Sequence, residues 1–428
     1  MSDYCVRRIG DSYASGPNIL EVETNLLTGE KDFGKIFPTP TSLEADLLLI
    51  AASIFAADRA TPRNANEDIN RNLLLDIPVV NIARLMPAIR KIEGILRHLS
   101  QDGWEIRLRQ APGSIETSFT LPKSAGETLL FSGGLDSLAA ALEFGKKRTA
   151  LGLTSHRTKN RVMDSAQQSL AALLKRNGFN VEHQQFFVSS KNGGPTKLKH
   201  DQENSQRTRS FVFLVLGALA ARRSGRYDLL YLAENGQMAI HLPLSHGRVG
   251  AFSTHTAHPD VLTEMETFLK SVLLAPIRIS NPYVHRTKKE VVDEVIRRLP
   301  SAISISTSCW RNARMKRGIT HCGECVPCYV RRIAIEYSMK DPTKYGRDPW
   351  SERLAGLDDD DDGLRNLVDL VEFVKRFEVS PNADLMSEFP ELYSPNINAA
   401  AVIQMYKRFA KEARSVLIKY PQVRPLLS

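Results

Sequence analysis

Hydrophobic and polar positions first settle into a helical rhythm at residues 42–61, SLEADLLLIAASIFAADRAT, where apolar side chains recur at three- and four-residue steps. Short β-like stretches at 4–9 and 19–24 precede it. A second helix is predicted around 85–100, and WEIRLRQ at 104–110 reads as a strand. Residues 1–125 therefore read as an α+β unit of their own, closed by the mixed Pro, Gly and Ser segment APGSIETSFTLPKSAGE. From residue 128 the pattern becomes regular. It gives a strand at 128–131, a helix at 137–147, the strand TALGLTS, a helix at 161–176, the strand VEHQQFFVS, a helix at 207–223 and the strand DLLYLA. Repeated strand-helix-strand units predict an α/β domain over 126–345, with a parallel sheet, helices on both faces and a ligand crevice at the strand C-terminal ends. Residues 346–428 read as a helical extension, chiefly in LRNLVDLVEFVKRF and AAAVIQMYKRFAKEARSVLI.

Composition narrows the setting. With 42% hydrophobic content, 428 residues suffice for one large core or several smaller ones. No apolar run approaches the roughly 18 residues of a membrane span, and MSDYCVRRIG is too polar for a secretory segment, so a cytoplasmic protein away from the membrane is expected. A net charge of +9 suits polyanionic partners such as ATP, nucleotides or nucleic acid, without locating a site. The acidic run Asp358 to Asp362 reads as a solvated helix N-terminus rather than a metal site, because adjacent helical acids do not share a face.

The densest chemistry lies in ETLLFSGGLDSLAAALEFGKK. Gly133 and Gly134, between a strand and a helix, leave backbone N–H groups free beside the positive end of the helix dipole, which makes an anion cradle. Ser132 and Ser137 add hydroxyls, and Asp136 makes sense beside a phosphate if Mg²⁺ bridges the two. The turn has neither the Walker A layout nor the three-glycine dinucleotide fingerprint. The string Ser132-Gly133-Gly134-Leu135-Asp136-Ser137 closely resembles the PP-loop of the N-type ATP pyrophosphatases. That resemblance implies ATP bound by these six residues, cleavage between the α and β phosphates, and adenylation of a substrate, with Asp136 and Ser137 in catalytic roles.

Four of the five cysteines, Cys309, Cys322, Cys325 and Cys328, lie within twenty residues of one another. Their spacing suits a closed, structural four-thiolate site for Zn²⁺, with His321 as a lesser candidate ligand. Following a PP-loop, with Ser308, Cys309 and Trp310 where the family has Thr-Cys-aromatic, the cluster resembles the QueC family of 7-cyano-7-deazaguanine synthases. The likeness covers roughly residues 128–335 and is strongest at its two ends. It implies adenylation of 7-carboxy-7-deazaguanine, attack by ammonia, and a second ATP-dependent step to the nitrile. It also suggests Arg207 and Arg209, in QRTRSFVFLVLGALA, for the ATP phosphates, with Arg209 catalytic. Glu234 and Asn235, in YLAENGQ, are expected to meet the edge of the guanine-like base. The chain departs from the family at His241, His246, His255 and His258, which replace an Asp-rich segment, leaving individual imidazoles or a second metal open. TSHRTKN likewise replaces the family's segment at the adenine edge.

About 125 residues before the PP-loop and about 90 after the cysteines exceed what a small nitrile requires. Long chains of this layout resemble the QatC-type proteins of bacterial Qat anti-phage systems and the QueC-like proteins of type IV CBASS. For these the resemblance implies transfer of the activated deazaguanine to the N-terminal amine of a partner protein from the same operon. An ordinary nitrile-forming synthase, a tRNA-modifying PP-loop enzyme and a catalytically inactive scaffold remain the alternatives.

Overall fold

A computed structural model of the chain describes residues 2–8, 11, 16–63, 70–245, 256–312, 315–316, 318–353 and 361–428. The first part comprises β1 (Ser2–Arg7), β2 (Asn18–Glu21), β3 (Leu26–Leu27), α1 (Glu30–Ile36), α2 (Ser42–Ala60), β4 (Asn72–Val79), α3 (Ile82–Leu85), α4 (Ile89–Ser100) and β5 (Gly103–Gln110). The central part follows with β6 (Thr128–Leu130), α5 (Leu135–Phe144), β7 (Leu151–Arg157), α6 (Arg161–Arg176), β8 (Val181–Phe187), β9 (Ser189–Ser190), α7 (Arg209–Ser224) and β10 (Leu230–Tyr231). It is completed by α8 (Gly236–Ile240), α9 (Pro259–Leu273), β11 (Ile279–Ser280), α10 (Lys288–Arg298) and α11 (Val326–Ser338). The last part holds α12 (Asp362–Val379), α13 (Asn382–Glu388) and α14 (Ala399–Leu417).

The central sheet has the order β11-β10-β6-β7-β8, every pair parallel, as the alternating pattern predicts. From β6 the chain winds outward through β7 and β8, then returns to the other side of β6 for β10 and β11. The switch point therefore lies between β6 and β10, where sheets of this kind open a crevice at their carboxyl ends. Mixed α/β architecture with a parallel sheet fits a PP-loop domain.

The N-terminal unit differs from the α+β expectation. Its four strands, in the order β2-β1-β4-β5, are all parallel, so it is an α/β layer as well. The strand that sequence reading omitted is β4, NLLLDIPV, whose Pro78 argues against a central strand. The conflict disappears in the register: β1 pairs only with Leu73 to Asp76, so Pro78 lies beyond the stretch that needs an amide on that side.

One apolar cluster runs from the N-terminal unit into the central domain, with α2 packed on α7. The capping box of Thr41 and Glu44 starts α2. The same Glu44, fully buried, accepts from Arg222 at 2.9 Å and from Arg223 Nε at 2.9 Å at the end of α7. At the other end of α7, buried Asp58 accepts from the amide and hydroxyl of Thr208 and pairs with Arg71, which also pairs with Asp102. The C-terminal helices form a separate cluster together with α8, α11 and Trp350. The acidic run behaves as expected where it is described: Asp361 caps α12 through the amide of Leu364, and Asp362 lies in its first turn, while Asp358 to Asp360 fall outside the described residues.

Candidate functional site

A cleft open to solvent lies at the switch point. Its walls come from three separate segments: the turn after β6 (Ser132, Gly134, Leu135, Asp136), the end of β10 (Ala233, Glu234, Met238), and the stretch Thr307, Ser308 and Trp310, with Lys288, Pro327 and Val330 between them.

The turn after β6 has the expected shape. Gly133 adopts φ +84°, and a Cβ there would stand 3.2 Å from Gln167. Ser132 Oγ accepts from Gly134 N at 3.3 Å, while Ser137 Oγ donates to Gly134 O at 3.2 Å and lies 3.2 Å from Ser132 Oγ. The Gly133 carbonyl accepts from Thr307 N at 3.0 Å, which ties this turn directly to the segment entering the cysteine cluster.

Asp136 is buried, and its Oδ2 accepts from Lys288 Nζ at 2.7 Å and from Asn235 Nδ2 at 3.1 Å. Its Oδ1 is buried without a hydrogen-bond partner among the described residues, the kind of atom a bound cation would satisfy. Lys288 is the residue that sequence analysis missed. Its signal was available: Thr287 and Glu290 form a capping box, and a cation just inside a helix start opposes the helix dipole and so calls for another reason to be there. Here the reason is a buried carboxylate.

Glu234 and Asn235 part company. The Glu234 backbone is clamped by Asn281, which accepts from its N–H at 3.1 Å and donates to its carbonyl at 2.8 Å. Its carboxyl lines the cleft and is pushed up to about 7, first by burial and then by Asp136, with Lys288 opposing. Asn235 is fully buried; its Oδ1 accepts from Met238 N to cap α8, and its amide donates to Asp136. Both of its polar ends are thus engaged within the fold.

Arg207 and Arg209 do not line the cleft. Arg207 is buried and donates to the Ser100 carbonyl at 3.2 Å, facing the N-terminal unit. Arg209 lies at the C-terminal end of β7, with Nε 3.4 Å from His156 Nδ1 and Nη1 3.9 Å from Met163 Sδ. Burial pushes it down to about 10. His156 donates from Nε2 to Val188 O and is pushed down to about 3 by burial and then by Arg209, so a neutral ring with its lone pair on Nδ1 faces the guanidinium.

The four cysteine sulfurs all lie within 4.8 Å of one another and are buried. Cys322 and Cys328 are 3.8 Å apart, and Cys325 and Cys328 3.4 Å. Zn–S bonds of about 2.3 Å put the corners of a tetrahedron roughly 3.8 Å apart, so the cluster could hold zinc with little adjustment. Backbone amides of Arg311 and Cys322 donate to Cys309 Sγ, and those of Glu324 and Cys325 to Cys322 Sγ, which suits thiolates. His321 is committed elsewhere: Nε2 accepts from Ser308 N, and Nδ1 bonds Thr320.

The histidine segment does not assemble into a second cluster among the described residues. His241 ends α8 in a left-handed conformation, 6.4 Å from the Trp310 ring, and burial pushes its pKa down to about 4, so the ring is neutral near pH 7. His258 caps α9 through the amide of Asp260. His246 and His255 lie outside the described residues.

No protein-family model matches the chain. Over 83 residues, 19% of its length, it is 36% identical to 7-cyano-7-deazaguanine synthase of Paracoccus denitrificans (strain Pd 1222). The matched stretch spans 33% of that protein, so the chain covers about a third of this curated relative. The match supports a QueC-like relationship. No described helix is long and apolar enough to cross a membrane.

Proposed function

We propose that this cleft activates the carboxylate of a 7-deazaguanine with ATP and passes the acyl group to an amine, held on the N-terminus of a partner protein in an anti-phage system. The observation that carries the reading is the convergence of the PP-loop turn, the Glu234 carboxyl and the segment leading into the cysteine cluster around one cleft. In the first step a substrate carboxylate oxygen attacks the α-phosphorus and pyrophosphate leaves. In the second, the amine nitrogen attacks the acyl carbonyl, AMP leaves with the bonding electron pair, and the nitrogen gives up a proton.

Each residue has a place in this scheme. The start of α5, with the amides of Gly134 and Leu135 and the hydroxyls of Ser132 and Ser137, receives the phosphates. Arg209 has no carboxylate hydrogen-bonded to it among the described residues, and a phosphate nearby would supply its missing counter-charge. Arg207 stays outside the cleft, bonded to the Ser100 carbonyl of the N-terminal unit. Glu234, once ionised, accepts from the ring N–H and exocyclic amine of the base, and Asn235 orients Asp136 beside it. Asp136 Oδ1 is the atom that would take Mg²⁺, and the bound ion would neutralise phosphate charge. Zn²⁺ in the four-cysteine site would hold the Thr307–Trp310 wall in place. An α-amino group, with a pKa of about 7.7–8.0, is partly neutral at cellular pH and so is a competent nucleophile.

A second reading has specific support: the curated relative is named for its cyano product, which favours ammonia as acceptor and a nitrile as product. Purified protein given ATP, Mg²⁺ and 7-carboxy-7-deazaguanine tests both. AMP and pyrophosphate should form in step with consumption of the acid, and Asp136→Asn should cut this about 10²–10³-fold, as removal of one charge-stabilising group does elsewhere. Absence of AMP with the folded wild-type protein contradicts the scheme. A free nitrile formed from ammonia selects the second reading.

A further inference from the structure

Of the three tryptophans, Trp104 and Trp350 are buried at 6% and 0% exposure, whereas Trp310 is 46% exposed. It lines the cleft, whose wall also includes the apolar side chains of Met238, Pro327 and Val330 and the Glu234 carboxyl. The backbone at Trp310 is anchored beside the sulfur cluster. On one side it follows Cys309. On the other, Arg311 donates its amide to Cys309 Sγ and its guanidinium to Glu324 at 3.2 Å and Asp362 at 2.6 Å. The neighbouring His241 imidazole, tilted by 40° and kept neutral by burial, brings no competing charge to the indole face.

A wide, half-exposed aromatic face on an anchored stretch of backbone, in a cleft lined also by apolar side chains and a carboxylate, matches one kind of occupant: a flat heterocycle with donors on its edge. We propose that Trp310 is the stacking wall for the planar ring of the acyl substrate, so that the indole binds its face while Glu234 reads its edge. This rests on the adenylation reading only for the identity of the ring. Adenine fits the slot less well, because its Watson–Crick edge pairs one donor with an acceptor nitrogen that a carboxylate would oppose.

Tryptophan fluorescence tests the proposal without relying on turnover, since Trp310 is the one tryptophan that a ligand in the cleft can reach. Titration with 7-carboxy-7-deazaguanine, or with guanine, should quench the emission, and Trp310→Phe should abolish the signal. ATP alone should quench little; equal quenching by ATP would mean that the ring takes adenine and would overturn the proposal. In steady state Trp310→Ala should raise KM for the acid about 10–100-fold, the range of lost base stacking, with kcat within about 3-fold, and Trp310→Phe should restore most of it. A fall in kcat at unchanged KM would overturn it as well. The two readings separate cleanly: AMP formation without quenching removes the stacking wall and leaves adenylation standing, while quenching without AMP formation does the reverse.

Discussion

The N-terminal unit and the C-terminal helices both pack on the central domain, but they bear on different parts of it. The C-terminal α14 presses on the two turns that carry Glu234 and Lys288. Tyr406 Oη accepts from Leu242 N at 3.1 Å and donates to Gln237 O at 3.3 Å, while Glu412 accepts from Thr287 Oγ1 at 2.9 Å. Arg408 adds bonds to Glu290 and the His285 carbonyl. Even Gly236 is required by this packing, because a Cβ there would stand 2.6 Å from Met405 Cε and 2.5 Å from the Val284 carbonyl. The N-terminal unit instead grips α7 at both ends through buried charges, and none of its described residues lines the cleft. One addition shapes the site; the other builds the body around α7.

Separating stability from turnover sharpens this contrast. Glu44→Ala strips Arg222 and Arg223 of a shared buried partner, which should cost about 3–5 kcal/mol of stability. Measured below its lowered melting temperature, the variant should form AMP at the wild-type rate per folded molecule. A large loss of turnover in the folded variant would bring the N-terminal unit into the chemistry.

Glu412 gives a smaller, pH-dependent effect. Burial pushes its carboxyl up to about 7. The folded state therefore holds a proton that the unfolded chain releases near pH 4.3, so the contribution of Glu412 to stability falls as pH rises from about 4 to about 7 and stays low above that. Glu412→Gln keeps an acceptor for Thr287 and removes the titration. It should be more stable than wild type at pH 8, by about 3–4 kcal/mol, and equal to it near pH 4. Denaturant melts of both proteins at the two pH values would show this, and a difference between variant and wild type that does not grow from pH 4 to pH 8 would exclude it.

Tyr406→Phe should produce the smallest change, about 1 kcal/mol for the hydrogen bonds it loses. Because those bonds hold Gln237 and Leu242, the variant should shift KM for the heterocyclic acid more than it shifts the melting temperature. The opposite ranking would make α14 a stabilising element without influence on the cleft.

The regular part of the fold was readable because its strands are punctuated by helices of clear periodicity; α6 falls at the predicted 161–176, and α14 within one residue of its predicted end. β4 was hidden by a proline whose tolerance depends on how far its neighbour extends, which is a tertiary fact. The glycine turn after β6 and the cysteine cluster were legible because each needs several residue types at fixed short spacing. Lys288 and Asp136 are 152 positions apart, and only the fold makes them a pair. Asn235 shows the reverse problem: its polar side chain suggested a ligand contact, yet the helix cap and Asp136 use both of its ends.

Acyl transfer to an amine on another protein would leave a mass increment on that protein, which intact-protein mass spectrometry reads. The chain is co-expressed with the proteins encoded beside it, as wild type and as Asp136→Ala. One of them should be heavier by a single deazaguanine acyl group with the wild type and unmodified with the variant. Unmodified neighbours in both samples, with free nitrile accumulating in the wild type, would contradict it.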